Sequence, residues 1–405
     1  MKPSHIDWCP MIPDHWEEKR IKDIAFLQSG NSITAMDFVE DGKFPVYGGN
    51  GLRGYTNTYT NEGDYVLIGR QGALCGNINY AHGKFYASEH AVVVYPKKEE
   101  ITLWLGETLR TANFNRLSMT AAQPGLAVST LNLQFIPFPP KDERIRIAKY
   151  LDKKLSEIDH QVSLLTSKRD AYLRLKKSII IHAVTRGLNP NVKMKDSGIE
   201  WIREVPEHWE VCRFKNAFRQ WTTGITPDSK NYKYFESDIC KGYTWVTISD
   251  FLEKYISQSN LNLSDESIKL FMPPLSLKGS LMFSFKLSVG KIAFADKDLY
   301  TNEAIVSIPP NNGQCLEYYY YMLPNVLHEN ATENIYGAKM LNQKIIANML
   351  MVVPPLPEQR AIATYLDDKC AKIDTIVSNL DKQISRYGDL KRSLIDEVIT
   401  GKRAV

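Results

Sequence analysis

Long hydrophobic runs are missing from this chain. No segment approaches the roughly 18 apolar residues that a membrane-crossing helix needs, so no span is predicted. The opening decapeptide, MKPSHIDWCP, has neither the apolar core of a secretory signal nor the Arg- and Ser-rich character of a transit peptide, and a cytoplasmic protein is expected. Cysteine is sparse as well. The six present (Cys9, Cys75, Cys212, Cys240, Cys315 and Cys370) are widely scattered, with no C-x-x-C pair and no histidine at ligand spacing. A disulfide framework and a structural zinc motif are thereby excluded, and the thiols are predicted to be reduced packing residues. Nor is the charge one-sided, with 50 Lys and Arg against 46 Asp and Glu. Such a balance argues against indiscriminate phosphate binding, which needs a dense cationic surface.

Catalytic signatures are absent too. An amino-methyltransferase would carry an Asn- or Asp-headed Pro-Pro motif and a Gly-rich cofactor loop, whereas the Pro-Pro pairs here are preceded by Phe138, Met272, Ile308 and Val353. Gly290-Lys291 lacks the upstream glycine of a phosphate-binding loop. Ser88-Glu89-His90 could be imagined as a nucleophile beside a base, but such a triplet on a strand is commonplace and carries little weight.

What the sequence does contain is itself, twice. Residues 12–25, IPDHWEEKRIKDIA, return as residues 205–218, VPEHWEVCRFKNAF, and residues 139–159, PPKDERIRIAKYLDKKLSEID, return as residues 354–374, PPLPEQRAIATYLDDKCAKID. A fainter echo links CGNINYAHGKFYASEHAVVV from Cys75 with VGKIAFADKDLYTNEAIVSI from Val289. The order of a Trp-containing opening, a variable globular stretch, Pro-Pro and a long helix occurs in both halves, which predicts a pseudo-twofold molecule.

The segment after each Pro-Pro carries a heptad seam. Leu151, Leu155, Ile158, Val162, Leu165, Arg169, Tyr172, Lys176 and Ile179 follow one another in steps of four and three. Leu366, Cys370, Ile373, Val377, Leu380, Ile384, Tyr387, Lys391 and Leu394 keep the same register, and Val398 extends it. The cations at Arg169, Lys176 and Lys391 weaken a continuous apolar seam, so register or partner choice is expected to outweigh maximal stability. A plain surface helix is the alternative. A helix from about Glu143 to Val184 is roughly 60 Å long, and two such helices packed antiparallel would hold one domain at each end. The clusters FPP and VPPLP mark the domain boundaries. These place globular domains at 1–140 and 191–352 and helical segments at 141–190 and 353–405. The basic excess sits on the first helical segment, with 12 cations against 6 anions over residues 141–188, while the globular halves are near neutral. Both halves read as mixed α/β (α+β), with strands expected at Tyr65–Ile68, Ala91–Tyr95, Ser280–Phe285 and Ala304–Ile308.

Taken together, the paired Trp-containing openings, PPLPEQRAIATYLDDKCAKID, and the closings LKKSIIIHAVTRGL (Leu175–Leu188) and LKRSLIDEVITGKR (Leu390–Arg403) resemble the specificity subunit of type I restriction-modification systems. So do TGITPDSKNYKYF (Thr223–Phe235), WVTISDF (Trp245–Phe251) and FPVYGGNGLRGYT (Phe44–Thr56), and the resemblance covers the whole chain. It implies two target-recognition domains that each read half of a split DNA site, joined by two helices that set the gap. It also implies a non-catalytic subunit that docks two modification methyltransferase subunits and, in the larger assembly, ATP-driven restriction and translocase subunits. S-adenosylmethionine, ATP and Mg would belong to those partners and not to this chain.

Residue chemistry nominates the DNA contacts. Arg53, Arg70, Gln71, Asn77 and Lys84 are the candidates in the first half, and Ser229, Lys230, Lys233, Lys286 and Lys291 in the second. Arg and Gln can engage guanine and adenine edges in pairs of hydrogen bonds, and Lys more often holds phosphate. The plain alternative for each is a solvated surface side chain. Tyr47, Tyr55, Tyr59 and Tyr65 are expected to brace the loops rather than stack on bases, and Trp16 and Trp209 to anchor packed corners. Two other functions stay open at this stage: a coiled-coil scaffold without DNA readout, and a DNA-modifying enzyme in its own right.

Overall fold

The computed structural model describes residues 1–72, 74–98, 101–118, 125–236, 238, 241–311, 313–333 and 339–405; Cys240 lies outside them. They form two compact units, Met1–Ser167 with Leu380–Val405, and Lys168–Asn379. The first unit begins with a hairpin, β1 (Lys2–Ile6) and β2 (Cys9–Ile12), then β3 (Glu17–Arg20), the single turn α1 (Ile21–Ile24) and β4 (Ala25–Ser29). Next come β5 (Phe44–Gly48), β6 (Gly51–Thr56), β7 (Asn61–Glu62), β8 (Tyr65–Gly69), β9 (Ile78–Ala81), β10 (Lys84–Ala87) and β11 (Ala91–Pro96). Helices α2 (Thr102–Thr111) and α3 (Val128–Asn132) and strand β12 (Phe135–Phe138) lead into α4 (Lys141–Arg186). Two four-stranded sheets result, β4-β11-β8-β9 and β6-β5-β10-β7, the second with a parallel β5–β10 pair.

The second unit repeats this plan. Its hairpin is β13 (Met194–Asp196) with β14 (Glu204–Pro206), followed by β15 (Glu210–Arg213), α5 (Phe214–Ala217), β16 (Thr222–Thr223) and β17 (Phe235–Glu236). There follow β18 (Tyr243–Val246), β19 (Tyr255–Ile256), β20 (Asn262–Leu263), α6 (Asp265–Phe271), β21 (Leu281–Ser284), β22 (Ile292–Ala295), β23 (Tyr300–Thr301) and β24 (Ile305–Ile308). The unit closes with α7 (Leu316–Asn330), β25 (Thr332–Glu333), β26 (Lys339–Met340), α8 (Gln343–Asn348), β27 (Leu350–Val353) and α9 (Leu356–Ile399). Its sheets are β16-β24-β21-β22-β19 and β17-β20-β18-β23, again with one parallel pair, β18–β23, in the second. The fold is therefore mixed α and β, internally repeated, with a long helix after each globular portion.

Both long helices supply residues to both units. In the first unit Leu151, Leu155 and Ile158 of α4 share a core with Leu394, Ile395, Val398 and Ile399 of α9. Partners ascend one helix as they descend the other, Tyr150 meeting Arg403 and Asp159 meeting Lys391, so the pairing is antiparallel. In the second unit Ala183 and Val184 of α4 join Ile362, Ala363, Leu366 and Cys370 of α9. None of the seam positions is fully exposed, as a two-helix heptad interface requires. The cations that interrupt the seam have partners: Lys391 Nζ lies 2.7 Å from Asp159 Oδ1, and Lys176 Nζ lies 2.6 Å from Asp374 Oδ1. At their exposure such pairs contribute on the order of 0.2–1 kcal/mol each.

Each unit is closed by the same corner. β3 pairs with β12 and β15 with β27, which delivers each Pro-Pro beside a Trp-containing opening. Trp16 and Trp209 are buried, with Gly401 against the first indole and Gly187 against the second. His15 Nε2 reaches Glu143 at 2.9 Å and His208 Nε2 reaches Glu358 at 2.7 Å, both at the start of a long helix. Arg144 and Gln359, equivalent and buried, turn back to donate to the carbonyls of Pro139 and Pro354 at 2.7 and 2.8 Å. Among the described residues no helix is long and apolar enough to cross a membrane.

Two expectations follow. Truncating the chain before Leu394 removes four buried aliphatic side chains from the first core, roughly 6–12 kcal/mol at about 1.5–3 each, an upper bound comparable with the whole stability of a domain. Limited proteolysis should then degrade residues 1–140 while 191–352 resist, and equal resistance of both would refute the shared core. The thiols give the second test. Burial pushes the Cys9 thiol up to about 11, so at pH 8 about one in a thousand is thiolate, against about a quarter for an ordinary cysteine. Iodoacetamide at that pH should spare Cys9 in the native protein and label it in urea, as read by peptide mass.

Candidate nucleic-acid interface

Four loops converge at one edge of each unit, and the same backbone hydrogen bonds build both sets. In the first unit the Gly69 amide donates to Asn77 O (2.8 Å), that of Gly76 to Gly69 O (2.7 Å), that of Arg70 to His90 O (2.8 Å) and that of Leu126 to Arg70 O (2.9 Å). Shifted by 214 or 215 residues, the second unit has Ser284 to Lys291 O (2.9 Å), Gly290 to Ser284 O (3.0 Å), Phe285 to Ala304 O (3.0 Å) and Leu341 to Phe285 O (2.9 Å). Glycine is required at another shared point. A Cβ on Gly30 would lie 2.2 Å from Ala87 O, and one on Gly224 1.7 Å from Thr301 O, so the chain after β4 or β16 can lie against the strand only without a side chain.

The side chains on this common frame differ. Arg70 has no carboxylate partner among the described residues, and its counterpart is Phe285, which is buried. Gln71 is exposed and answers to Lys286, whose ammonium lies 5.5 Å from the Phe285 ring. Asn77 Nδ2 donates to Asn50 Oδ1 at 2.8 Å, while its counterpart Lys291 donates to Ile248 O at 3.2 Å. The two contacts are equivalent, because Asn50 and Ile248 lie in the loops that follow the matched strands β5 and β18.

Of the residues that the sequence nominated, the structure gathers Arg70, Gln71 and Asn77 in the first unit, with the exposed Arg53 on β6 next to the same loop, its guanidinium 5.6 Å from the Phe38 ring. Lys84 stands apart. It sits at the opposite end of β10, 3.8 Å from Glu62 and over the Tyr59 ring. In the second unit Lys286 and Lys291 share the β21–β22 connection, and Ser229 and Lys230 are exposed in the loop after Gly224. Lys233 follows on a single 3-10 turn capped by Asn231. Tyr47 and Tyr65 pack on Phe85, and Tyr59 on Phe44, so they brace the sheet.

Three participants were not nominated from sequence. Asn50, Glu89 and His90 enter the first cluster, the last two joined at 3.1 Å. Their presence was signalled only by the Gly-Gly-Asn turn and by the strand end before Ala91. Glu89 Oε2, His90 Nδ1 and Asn79 Nδ2 are buried without a hydrogen-bond partner. Among the described residues no three His, Cys, Asp or Glu side chains are grouped to hold a metal ion.

Comparison with known proteins bears on this arrangement. The model of the type I restriction modification DNA specificity domain matches residues 13–164 and again 206–386. The chain is 39% identical over 141 residues to the type I restriction enzyme EcoprrI specificity subunit of Escherichia coli, a match spanning 34% of this chain and 35% of that one. For the MjaIX specificity subunit of Methanocaldococcus jannaschii the match is 27% identical and spans 45% and 41%, so the chain covers less than half the length of either. Against the putative MjaX specificity subunit of the same organism identity falls to 22%, with 96% and 94% covered. Among solved structures, a chain from a study of complex assembly and conformational transition of the type I R-M system superposes with a TM-score of 0.73 at 15% identity, covering 97% of this chain and all of that one. With the family model matching both halves, on the same repeat that the two units display, the chain belongs to the type I restriction-modification DNA specificity family.

Proposed function

We propose that the chain is the non-catalytic DNA-recognition subunit of a type I restriction-modification complex, reading an asymmetric bipartite site with one half assigned to each loop cluster. The observation that carries this reading is a shared backbone frame with unlike side chains at matched positions. A common frame presents both loop sets to a duplex in the same way, and different donors and acceptors select different bases. In the first half-site Arg70 and Gln71 are the base-reading pair, with Asn77 and Asn50 presenting a coupled amide edge. In the second, where Phe285 removes the guanidinium, Lys286 and Lys291 act with Ser229, Lys230 and Lys233 on phosphates and base edges. Lys84, held by Glu62, contributes at most to the phosphate field. Two modification subunits and the restriction subunits are the partners in this reading, DNA is the ligand, and the cytoplasm is the compartment. The long helices, which contribute to both units, set the gap between half-sites, with half-site centres about 34–36 Å apart.

Methylation mapping in cells that express this chain with its cognate modification subunit tests the reading. A new split motif with a fixed unspecified gap is expected, absent without this chain; no motif from a confirmed, active complex would leave a scaffold. Arg70→Ala should then relax the first half-site alone, at a cost of about 1–3 kcal/mol at the position it reads. Lengthening one long helix by a heptad should alter the gap and leave both half-sites unchanged. An altered half-site with the old gap would overturn the role given to the helices.

A further inference from the structure

The two units part company at one sheet edge. In the second unit β22 is flanked by β19, which pairs with it in parallel: the Phe294 amide donates to Lys254 O at 2.7 Å and the Asp296 amide to Ile256 O at 2.9 Å. The side chains of that short strand fill a site against the helices. Lys254 Nζ lies 2.6 Å from Asp367 Oδ1 on α9, which also accepts from Tyr321 Oη at 2.5 Å, and Lys254 stands over the Tyr320 ring at 5.0 Å. Tyr255, Phe294 and Tyr320 stack in sequence, with centroids 5.5 and 5.7 Å apart.

The first unit has the receiving half of this arrangement and no strand to occupy it. Tyr80 matches Phe294, Asp152 matches Asp367, and α2 matches α7, yet β9 is the last strand of its sheet. Its outer edge is free by register. The Gly69 amide donates to Asn77 O, so on the alternating antiparallel ladder Leu67 and Asn79 form the next bonded pair, and the Tyr80 amide points away from β8. The His82 amide has no partner among the described residues either. Asp152 is exposed and likewise lacks a cation there. What remains is an open cleft of about 440 Å³ beside Tyr80, Leu103 and Leu155. Its other charged groups are paired, Arg110 with Glu107, Lys391 with Asp159 and Arg392 with Asp389, which leaves Asp152. A Cβ on Gly106 would lie 2.3 Å from Tyr80 Oη, so the missing side chain lets Tyr80 lie against α2, where it donates to Glu107 Oε1 at 2.7 Å.

We propose that this cleft docks an extended segment of the modification subunit, which adds a parallel strand to β9 and places a lysine or arginine on Asp152 with an aromatic residue following it. The second unit supplies the template for that chemistry, since Lys254 and Tyr255 make those contacts there from within the chain. A free strand edge gives main-chain affinity and the pocket beside it gives selectivity. Within the cleft Asp152 is the carboxylate without a cation among the described residues, and it selects a lysine or arginine of the incoming segment. Existence of this partner rests on the function proposed above.

Amide hydrogen exchange on the full chain, alone and with the modification subunit, is the test. In the assembled complex the Tyr80 and His82 amides should slow by tenfold or more, and Asp152→Lys should weaken assembly on the order of tenfold, the worth of a charge-assisted hydrogen bond. Asp152 is exposed, so the variant should fold, and an unchanged melting temperature checks this. A complex that forms with both amides exchanging as in the free chain overturns the docking proposal and leaves the DNA-reading function intact. Protection of β9 with no effect of Asp152→Lys overturns the cation assignment. If no complex forms at all, the proposed function itself fails.

Discussion

Neither globular portion can finish its core without help from both long helices, and the rest of the molecule depends on that constraint. A heptad seam buries only when a second seam covers it. Here the cover for the start of α4 comes from the last turns of α9, and the cover for its end comes from the first turns of α9. The first unit is thus assembled from residues more than two hundred positions apart, as in the Arg146 guanidinium donating to Val405 O at 3.2 Å. Lys391 with Asp159 and Lys176 with Asp374 then supply ion pairs where cations interrupt the apolar seam.

From that common scaffold the two units diverge in a graded way. The corner of Trp, Pro-Pro and helix start differs little between copies, since it carries packing that either copy must make. Backbone bonds that shape the loops also coincide, within about 0.3 Å across the four matched pairs. Side chains on those loops do not coincide. Arg70 against Phe285 is the sharpest contrast, a free cation replaced by a buried ring. The loops thus vary in chemistry on a backbone frame that the two copies share.

How much of this the sequence disclosed follows the same gradient. The duplication, the seam from Leu151 to Ile179 and its copy from Leu366 to Leu394 were legible because periodicity is a local property, and a seven-residue repeat survives substitution of any single member. The four strands expected in the globular halves all appear, at Tyr65–Gly69, Ala91–Pro96, Leu281–Ser284 and Ile305–Ile308, because short runs rich in apolar residues between turn residues favour strands. Lys84 marks where that reasoning stops. Its charge nominated it as a DNA contact, and only the three-dimensional pairing of β10 with β7 reveals Glu62 beside it. Asn50 and His90 were not nominated as DNA contacts for the converse reason, since Asn50 meets Asn77 across 27 residues and the His90 carbonyl meets the Arg70 amide across 20.

The open edge at β9 shows why an internal repeat is more informative than either half alone. Viewed singly, the cleft beside Tyr80 is an ordinary polar recess, and the lysine on Asp367 is an ordinary surface ion pair. Compared, they are one site in two states of occupancy, because the residues lining the empty cleft have counterparts that line the filled one. Duplication first doubles every contact; where a copy later lacks a strand that its twin retains, the exposed edge becomes a liability unless something covers it. At the edge of β9 the outward amides, the Tyr80 ring and the Asp152 carboxylate are the counterparts of the groups that Lys254 and Tyr255 engage beside β22, so one chemical description covers both sites.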